Sequence, residues 1–133
     1  MPLSQNETNL NWDELFMFSA KLTSQRSKDP RTKVGACIVS REKRIVGLGY
    51  NGMPQGLDDA FPWGSVTDGS PKKPYVVHAE ANAILNSSEN RYSIYTTKFP
   101  CQECAKLIAQ TSIKSVVHPG DPVKGPALEI FNA

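Results

Sequence analysis

The chain has 133 residues, of which 39% are hydrophobic and 21% are charged, and its formal net charge is +2 at pH 7. This length and composition are typical of one globular domain, so we expect a single domain over residues 1–133. No apolar run approaches the roughly 20 residues that a membrane-spanning helix needs. Residues 1–16 lack the basic and apolar regions of a secretory signal, which favours a cytoplasmic protein with no membrane partner.

The first half of the chain predicts a helix followed by a β-hairpin. A helix from Trp12 to Ser24 is indicated because Asn11 and Glu14 have capping-box spacing and the apolar residues after them recur at near-helical intervals. Those apolar residues are Leu15, Phe16, Phe18 and Leu22. The apolar, β-branched runs at 34–40 and 44–51 flank a short charged turn, which is typical of a hairpin.

The second half predicts helices that alternate with strands. Residues 52–74 are rich in glycine and proline and predict a long loop, of a kind that is usually functional or disordered. A helix at 77–88, with Ala81, Ile84 and Leu85 facing the core, precedes a strand at 93–99, a helix at 101–112 and a strand at 114–118. Only one short apolar turn is predicted after residue 118. This order favours parallel crossovers and a three-layer α/β/α sandwich with a mixed central sheet.

Two short motifs, "HAE" at 78–80 and "PCQEC" at 100–104, predict a zinc site. Cys101 and Cys104, three residues apart in the first turn of a helix, face the same way and can share one ion with His78. Three protein ligands are typical of catalytic zinc, which keeps its fourth position open for water.

Two further residues bear on what kind of zinc site this is. Glu80 projects away from His78 along the helix, which suits a general acid/base beside the bound water. The alternative is a closed structural site with Cys37 as fourth ligand, but "GACIV" favours a buried core position for this cysteine.

Positive charge is concentrated between residues 26 and 44. This segment carries seven cationic and two acidic residues: Arg26, Lys28, Arg31, Lys33, Arg41, Lys43 and Arg44 against Asp29 and Glu42. It could contact a phosphate, or it could be an ordinary solvated surface. The net charge is too small to indicate a nucleic-acid partner.

H-x-E followed by P-C-x-x-C is the signature of zinc-dependent nucleobase deaminases. Four longer segments resemble the deoxycytidylate (dCMP) deaminases, within the zinc-dependent cytidine/deoxycytidylate deaminase family. They are "SQRSKDPRTKVGACIV", "RIVGLGYNGMPQG", "PYVVHAEANAIL" and "FPCQECAKLIAQTSIKSVV". The resemblance implies a cytidine deaminase-like fold and hydrolysis of dCMP to dUMP and ammonia, which feeds thymidylate synthesis. It also separates the chain from the tRNA adenosine deaminases, which share the shorter signature.

The resemblance implies roles for individual residues. Zinc ligands fall on His78, Cys101 and Cys104, and Glu80 is the proton shuttle that protonates N3 and then the departing ammonia. Substrate contacts fall on Asn51, at the sugar, on Arg26 and Lys28, near the phosphate, and on the backbone at Ala79. The resemblance further implies a homo-oligomer, often a hexamer, that dCTP activates and dTTP inhibits with Mg²⁺. The effector residues on this pattern are Tyr50, Gly52, Gly56, Asp58 and Asp59.

After Val117 the sequence departs from the family pattern. Family members continue with an acidic, tyrosine-containing loop that borders the substrate, whereas this chain has "HPGDPVKGPALEIFNA". His118 either takes over part of that role or is a surface histidine. Three hypotheses therefore stand beside each other: dCMP deamination, deamination of another or modified cytosine nucleotide, and a non-catalytic zinc-binding module of the same fold. Adenosine deamination on tRNA is a weaker fourth hypothesis, because the sequence has no strong basic patch beyond residues 26–44.

Overall fold

The computed structural model describes residues 9–63 and 74–133, so that residues 64–73 of the predicted loop at 52–74 lie outside it. The described residues contain four helices: α1 (Trp12–Ser24), α2 (Ala79–Leu85), α3 (Gln102–Ala109) and α4 (Pro126–Asn132). They also contain four strands: β1 (Gly35–Val39), β2 (Ile45–Tyr50), β3 (Ser93–Thr96) and β4 (Ser115–Val117).

Helix α1 begins with the predicted capping box. Asn11 Oδ1 accepts a hydrogen bond from the Glu14 backbone N–H at 2.8 Å, and the Glu14 carboxylate accepts one from the Asn11 N–H at 3.0 Å. Of the four apolar residues that indicated this helix, only Phe16 is buried. Leu15, Phe18 and Leu22 are 38%, 47% and 76% exposed. One row of apolar side chains on α1 therefore faces away from the core.

The strands form one mixed sheet in the order β2-β1-β3-β4. Strand β1 is antiparallel to both of its neighbours, with Gly35 opposite Tyr50 on β2 and Ala36 opposite Thr96 on β3. Strands β3 and β4 are parallel. Because β2 and β3 run in the same direction with β1 between them, the β2-α2-β3 connection is a crossover over one strand, as is usual for α/β proteins.

Helices cover both faces of the sheet. On one face, Phe16 and Ala20 of α1 pack against Cys37, Val39 and Tyr95. On the other face, residues of α2 and α3 pack against Ala36, Ile38 and Ile94; the helix residues are Ala79, Ala83, Ile84 and Ile108. The predicted three-layer α/β/α sandwich with a mixed central sheet is confirmed.

Glycine allows α2 to approach the sheet closely. A Cβ atom at Gly49 would overlap the backbone of Ala83 in α2. Since α2 carries the "HAE" motif at its start, this contact fixes the distance between that motif and strand β2.

The structure corrects three details of the sequence analysis. The helix predicted at 77–88 is shorter, because α2 spans Ala79–Leu85. Leu85 was expected to face the core but is 76% exposed, whereas Ala83 and Ile84 are buried. The tail after residue 118 contains a full helix, α4, whose Phe131 packs against the core. In the part of the chain that is described, no helix is long and apolar enough to cross a membrane.

The Thr96 hydroxyl is buried without a hydrogen-bond partner among the described residues. An unsatisfied buried hydroxyl costs about 1–3 kcal/mol. We therefore expect Thr96→Val, which keeps the shape of the side chain, to raise the free energy of unfolding of the zinc-loaded protein by about 1 kcal/mol. Urea titration measures the change.

Thr97→Val is the matched control, because Thr97 Oγ1 accepts a hydrogen bond from the Gly35 N–H at 3.0 Å. This second substitution should lower the free energy of unfolding. Equal destabilisation by both variants would contradict our interpretation of Thr96.

Candidate functional site

The predicted metal ligands converge at one edge of the sheet with Glu80, Asn51 and Ala79. Strand β1 begins there at Gly35, and β2 and β3 end there at Tyr50 and Thr96, because β1 is antiparallel to both. Helices α2 and α3 begin just beyond this edge. A cleft of about 670 Å³ opens at this place, which is a usual size for a small-molecule site.

The metal-ligand candidates stand at the starts of α2 and α3. His78 is the N-cap residue of α2, and the backbone before it is tied to the end of β2 by two hydrogen bonds between Gly52 and Val77, at 3.0 and 2.7 Å. Cys101 is the N-cap residue of α3, and Cys104 lies in its first turn. The connection between β2 and α2 and the connection between β3 and α3 thus bring the "HAE" and "PCQEC" motifs together.

The ligand atoms have the spacing of a zinc site. His78 Nδ1 lies 3.4 Å from the Sγ atom of Cys101 and 3.4 Å from that of Cys104. All three atoms lie within 4.8 Å of one another. A tetrahedral zinc ion with bonds of about 2.3 Å to sulfur and about 2.0 Å to nitrogen would separate such atoms by about 3.6 Å. We call His78, Cys101 and Cys104 the metal site, and its donor set fits zinc.

Glu80 lies in the first turn of α2 and lines the same cleft as His78 and Cys101. It is only 5% exposed. Burial raises the pKa of its carboxyl group, and the positive charge of Lys98 partly offsets that shift. A buried carboxyl group beside a metal site is a candidate for a group that accepts and donates a proton.

Cys37 belongs to the core and not to the metal site. Its side chain is fully buried in the cluster with Phe16 and Tyr95, on the face of the sheet that α1 covers. Burial raises the pKa of its thiol to about 12. The closed structural site with Cys37 as fourth ligand is therefore not what the chain forms.

Asn51 lines the cleft and organises the backbone on one side of it. Its Nδ2 donates to Asp29 Oδ2 at 3.2 Å and to the Thr32 carbonyl at 2.9 Å, and its Oδ1 accepts from the Val34 N–H at 2.8 Å. Both amide hydrogens are used by the protein. One acceptor position on Oδ1 remains for a ligand hydroxyl. Ala79, the other neutral substrate residue predicted, also lines the cleft.

Arg26 and Lys28, predicted near a phosphate, are not among the residues that line this cleft. The guanidinium of Arg26 lies 6.0 Å from the ring centroid of Tyr50. Lys28 Nζ lies 3.0 Å from Asp58 Oδ2, which raises the pKa of the lysine. Lys28 is thus joined to a residue predicted for an effector.

The other predicted effector residues differ in their surroundings. Gly52 is buried in its bridge to Val77. Gly56 is exposed in a turn with φ of 78°. Asp59 is exposed and close enough to Lys28 to raise the pKa of that lysine, after the larger effect of Asp58. These residues lie outside the cleft and form no single ligand cage among the described residues.

The cleft also contains residues that sequence analysis did not single out. Lys98 and Phe99 lie on the connection between β3 and α3, and Arg31 lies on the connection between α1 and β1. Arg31 had been counted only as part of the basic segment. For Lys98 and Phe99 the available signal was their position, three and two residues before Cys101.

Comparison with known proteins gives a consistent result. The profile of the family described as "Cytidine and deoxycytidylate deaminase zinc-binding region" matches residues 10–119. The chain is 53% identical over 123 residues to a "Probable deoxycytidylate deaminase" of Drosophila melanogaster, with 84% of this chain and 61% of that protein covered. It is 52% identical over 118 residues to the "Deoxycytidylate deaminase" of Homo sapiens, with 84% and 66% covered. The chain thus spans less than two thirds of the length of these relatives.

A solved structure has the same fold. The crystal structure of dCMP deaminase from the cyanophage S-TIM5 in complex with dCMP and dUMP superposes with a TM-score of 0.70 at 32% sequence identity. The superposition covers 90% of this chain and 88% of the cyanophage chain.

The metal site predicts which cysteines hold zinc. We expect about one zinc ion per chain in the purified protein. Cys104→Ser should reduce this content to near zero, because the remaining ligands bind zinc far more weakly. Metal analysis after gel filtration in the presence of a mild chelator measures it.

Cys37→Ala is the control for a cysteine outside the metal site and should retain the zinc. Full zinc content in folded Cys104→Ser, or zinc loss from folded Cys37→Ala, would show that the ligands are misassigned. Circular dichroism establishes whether each variant is folded.

Proposed function

Because this chain belongs to the cytidine and deoxycytidylate deaminase family, we propose that it catalyses zinc-dependent hydrolysis of dCMP to dUMP and ammonia. The observation that carries the proposal is the metal site with buried Glu80 beside it in one cleft. Free thiol ligands persist best in a reducing compartment, so we propose that the activity is cytoplasmic.

The proposed chemistry assigns zinc and Glu80 different tasks. His78, Cys101 and Cys104 would hold the zinc ion, which would supply a nucleophile at neutral pH by lowering the pKa of a water molecule. Glu80 takes a proton from the attacking water and gives it to N3 of the cytosine ring as the C4–O bond forms. Glu80 then takes the proton of the new C4 hydroxyl group and gives it to the amino group. The C4–N bond breaks as the C4=O bond forms, and ammonia leaves. The burial of Glu80 suits both steps, because its raised pKa makes it a usable acid.

The proposed substrate contacts follow from the groups that line the cleft. Asn51 Oδ1 has one acceptor position for a hydroxyl group of the sugar. The backbone of Ala79, between His78 and Glu80, is suited to orient the base. The family resemblance implies that Arg26 and Lys28 contact the phosphate, but neither residue lines the cleft.

The proposal predicts that Glu80→Gln keeps its zinc but loses turnover. Glutamine has nearly the same shape but cannot carry a proton, so we expect the rate of ammonia release from dCMP to fall by at least about 10²-fold to 10⁴-fold. Ultraviolet absorbance and ammonia assays with the zinc-loaded enzyme measure the rate. Unchanged turnover in Glu80→Gln would contradict the assignment.

The same assays distinguish the remaining functional hypotheses. dCMP, CMP, deoxycytidine and dCTP are offered as substrates at equal concentration. A strong preference for dCMP supports the proposal, and preference for another cytosine nucleotide favours the second hypothesis. A full zinc complement with no turnover of any of them favours the non-catalytic zinc module.

We extend the proposal to assembly and regulation. The chain is proposed to form homo-oligomers, of which the hexamer is the form that the resemblance implies, with dCTP as activator and dTTP with Mg²⁺ as inhibitor. Leu15, Phe18 and Leu22 lie along one side of α1 and are exposed, as at a surface that another subunit covers. The pair of Lys28 and Asp58, with Asp59 nearby, offers charges of both signs for a triphosphate and its cation.

If subunits meet at the exposed apolar row of α1, a charge introduced into this row should disrupt the oligomer. Leu22→Lys should lower the molar mass measured by light scattering, because a buried lysine at a subunit contact loses its hydration. Leu85→Lys is the matched control, since Leu85 is equally exposed, at 76%, but lies on α2. An unchanged mass for Leu22→Lys would contradict the assignment of this surface.

A further inference from the structure

The cleft contains two exposed cations that the proposed chemistry does not use. Arg31 and Lys98 both line it, and both are exposed. Within residues 9–63 and 74–133, no ion pair or side-chain hydrogen bond engages either of them. We call Arg31 and Lys98 the rim cations.

Hydrogen bonds fix the backbone beneath each rim cation. The Arg31 N–H donates to Asp29 Oδ1 at 2.8 Å. Thr97, which precedes Lys98, donates its N–H to the Gly35 carbonyl at 3.0 Å and accepts from the Gly35 N–H through Oγ1 at 3.0 Å. Only the side chains must therefore be ordered when a ligand binds, which limits the entropic cost.

The charges in the cleft are separated by depth. Two carboxylates line it, Glu80 beside the metal site and Asp29, and both are buried, whereas the rim cations are exposed to solvent. A ligand that complements this arrangement has a neutral reacting end and an anionic opposite end. A nucleoside monophosphate has this form, because its phosphate carries a charge near −2 at neutral pH and three strong acceptor oxygens.

We infer that Arg31 and Lys98 together bind the phosphate of a nucleoside monophosphate whose base lies at Glu80 and the metal site. This inference rests on the proposed deaminase function and names the residues that would select a substrate with a phosphate. Arg31, on the connection between α1 and β1, supplies a planar fork for two phosphate oxygens, and Lys98, on the connection between β3 and α3, supplies a point charge.

Arg26 and Lys28 are the competing phosphate ligands. Neither lines the cleft. Arg26 lies over the ring of Tyr50, and Lys28 is paired with Asp58. Either would have to leave its present partner before it could reach a ligand in the cleft, whereas the rim cations would not.

The test compares substrates with and without a phosphate. Arg31→Gln and Lys98→Gln are each expected to lower kcat/KM for dCMP by about 10-fold to 100-fold, as for loss of a charged hydrogen bond. In Arg31→Gln, kcat/KM for deoxycytidine, which has no phosphate, should change by less than about twofold. Lys98→Gln also removes a positive charge that acts on Glu80, so for this variant kcat/KM for dCMP should fall about 10-fold more than that for deoxycytidine. A merely structural role of either cation would lower both values together.

Matched controls remove the same charge elsewhere. Arg44 and Lys114 immediately precede β2 and β4, at the edge of the sheet opposite the cleft. Arg44→Gln and Lys114→Gln should leave both substrates unaffected. Arg26→Gln tests the competing assignment directly.

Calorimetric titration of dCMP into zinc-loaded Glu80→Gln gives a second readout that needs no turnover. If adding Arg31→Gln or Lys98→Gln to this variant weakens dCMP binding, the inference is supported. This holds even if the wild-type protein deaminates no cytosine nucleotide, because that result would contradict only the proposed function. Turnover or binding of dCMP that depends on Arg26 and not on the rim cations overturns the inference and leaves the proposed function intact. Absence of both dCMP binding and turnover overturns both.

Discussion

The position of β1 between two antiparallel neighbours determines where every part of the site lies. Because β2 and β3 both run against β1, their carboxyl ends meet at the edge where β1 begins. The chain leaves β2 towards α2 and leaves β3 towards α3 at this same edge. Two motifs that are more than 20 residues apart in sequence therefore start their helices side by side. A parallel pairing of β1 with β3 would separate the histidine from the two cysteines by the length of the sheet.

A set of buried hydrogen bonds converts this topology into a rigid site. Asn51, at the end of β2, binds Asp29, Thr32 and Val34 and so holds the connection that leads into β1. The paired hydrogen bonds between Gly35 and Thr97 hold the connection that leads out of β3. Polar groups buried in this way are costly unless they are paired, and here the pairing ties three connections to one another. Asn51 is thus as much a part of the framework as a candidate ligand contact.

The sequence predicted the parts of the site that depend on local chemistry. The HAE and PCQEC motifs each specify residue type, spacing and position at a helix start, so His78, Glu80, Cys101 and Cys104 could be identified without the fold. The rim cations could not, because an exposed arginine or lysine has no local pattern that separates it from a solvated surface residue. Lys98 joins the cleft only because β3 ends where it does.

Most of the fold was likewise predictable from local sequence patterns. The predictions that were wrong concern features that depend on tertiary contacts. Hydrophobic periodicity identified α1 and all four strands, but it does not say which side of a helix is covered, so Leu85 was assigned to the core. Helix α4 was missed because proline and glycine surround a short apolar stretch. Tertiary contacts stabilise this helix: the ring of Phe131 packs edge-on against that of Phe99, with the two ring centroids 5.9 Å apart. The half-buried His118 also packs against the ring of Phe99, with the two ring centroids 4.8 Å apart. Because Phe99 lines the cleft, the residues after β4 reach the wall of the cleft.

The charge and burial of the side chains that line the cleft determine the orientation of an anionic ligand bound in it. Deep in the cleft, Glu80 is shielded from water, so its carboxylate form would repel a phosphate strongly. At the rim, Arg31 and Lys98 attract a phosphate but act through water, where attraction is weaker and sensitive to salt. The repulsion and the attraction favour the same orientation, with the uncharged base inward.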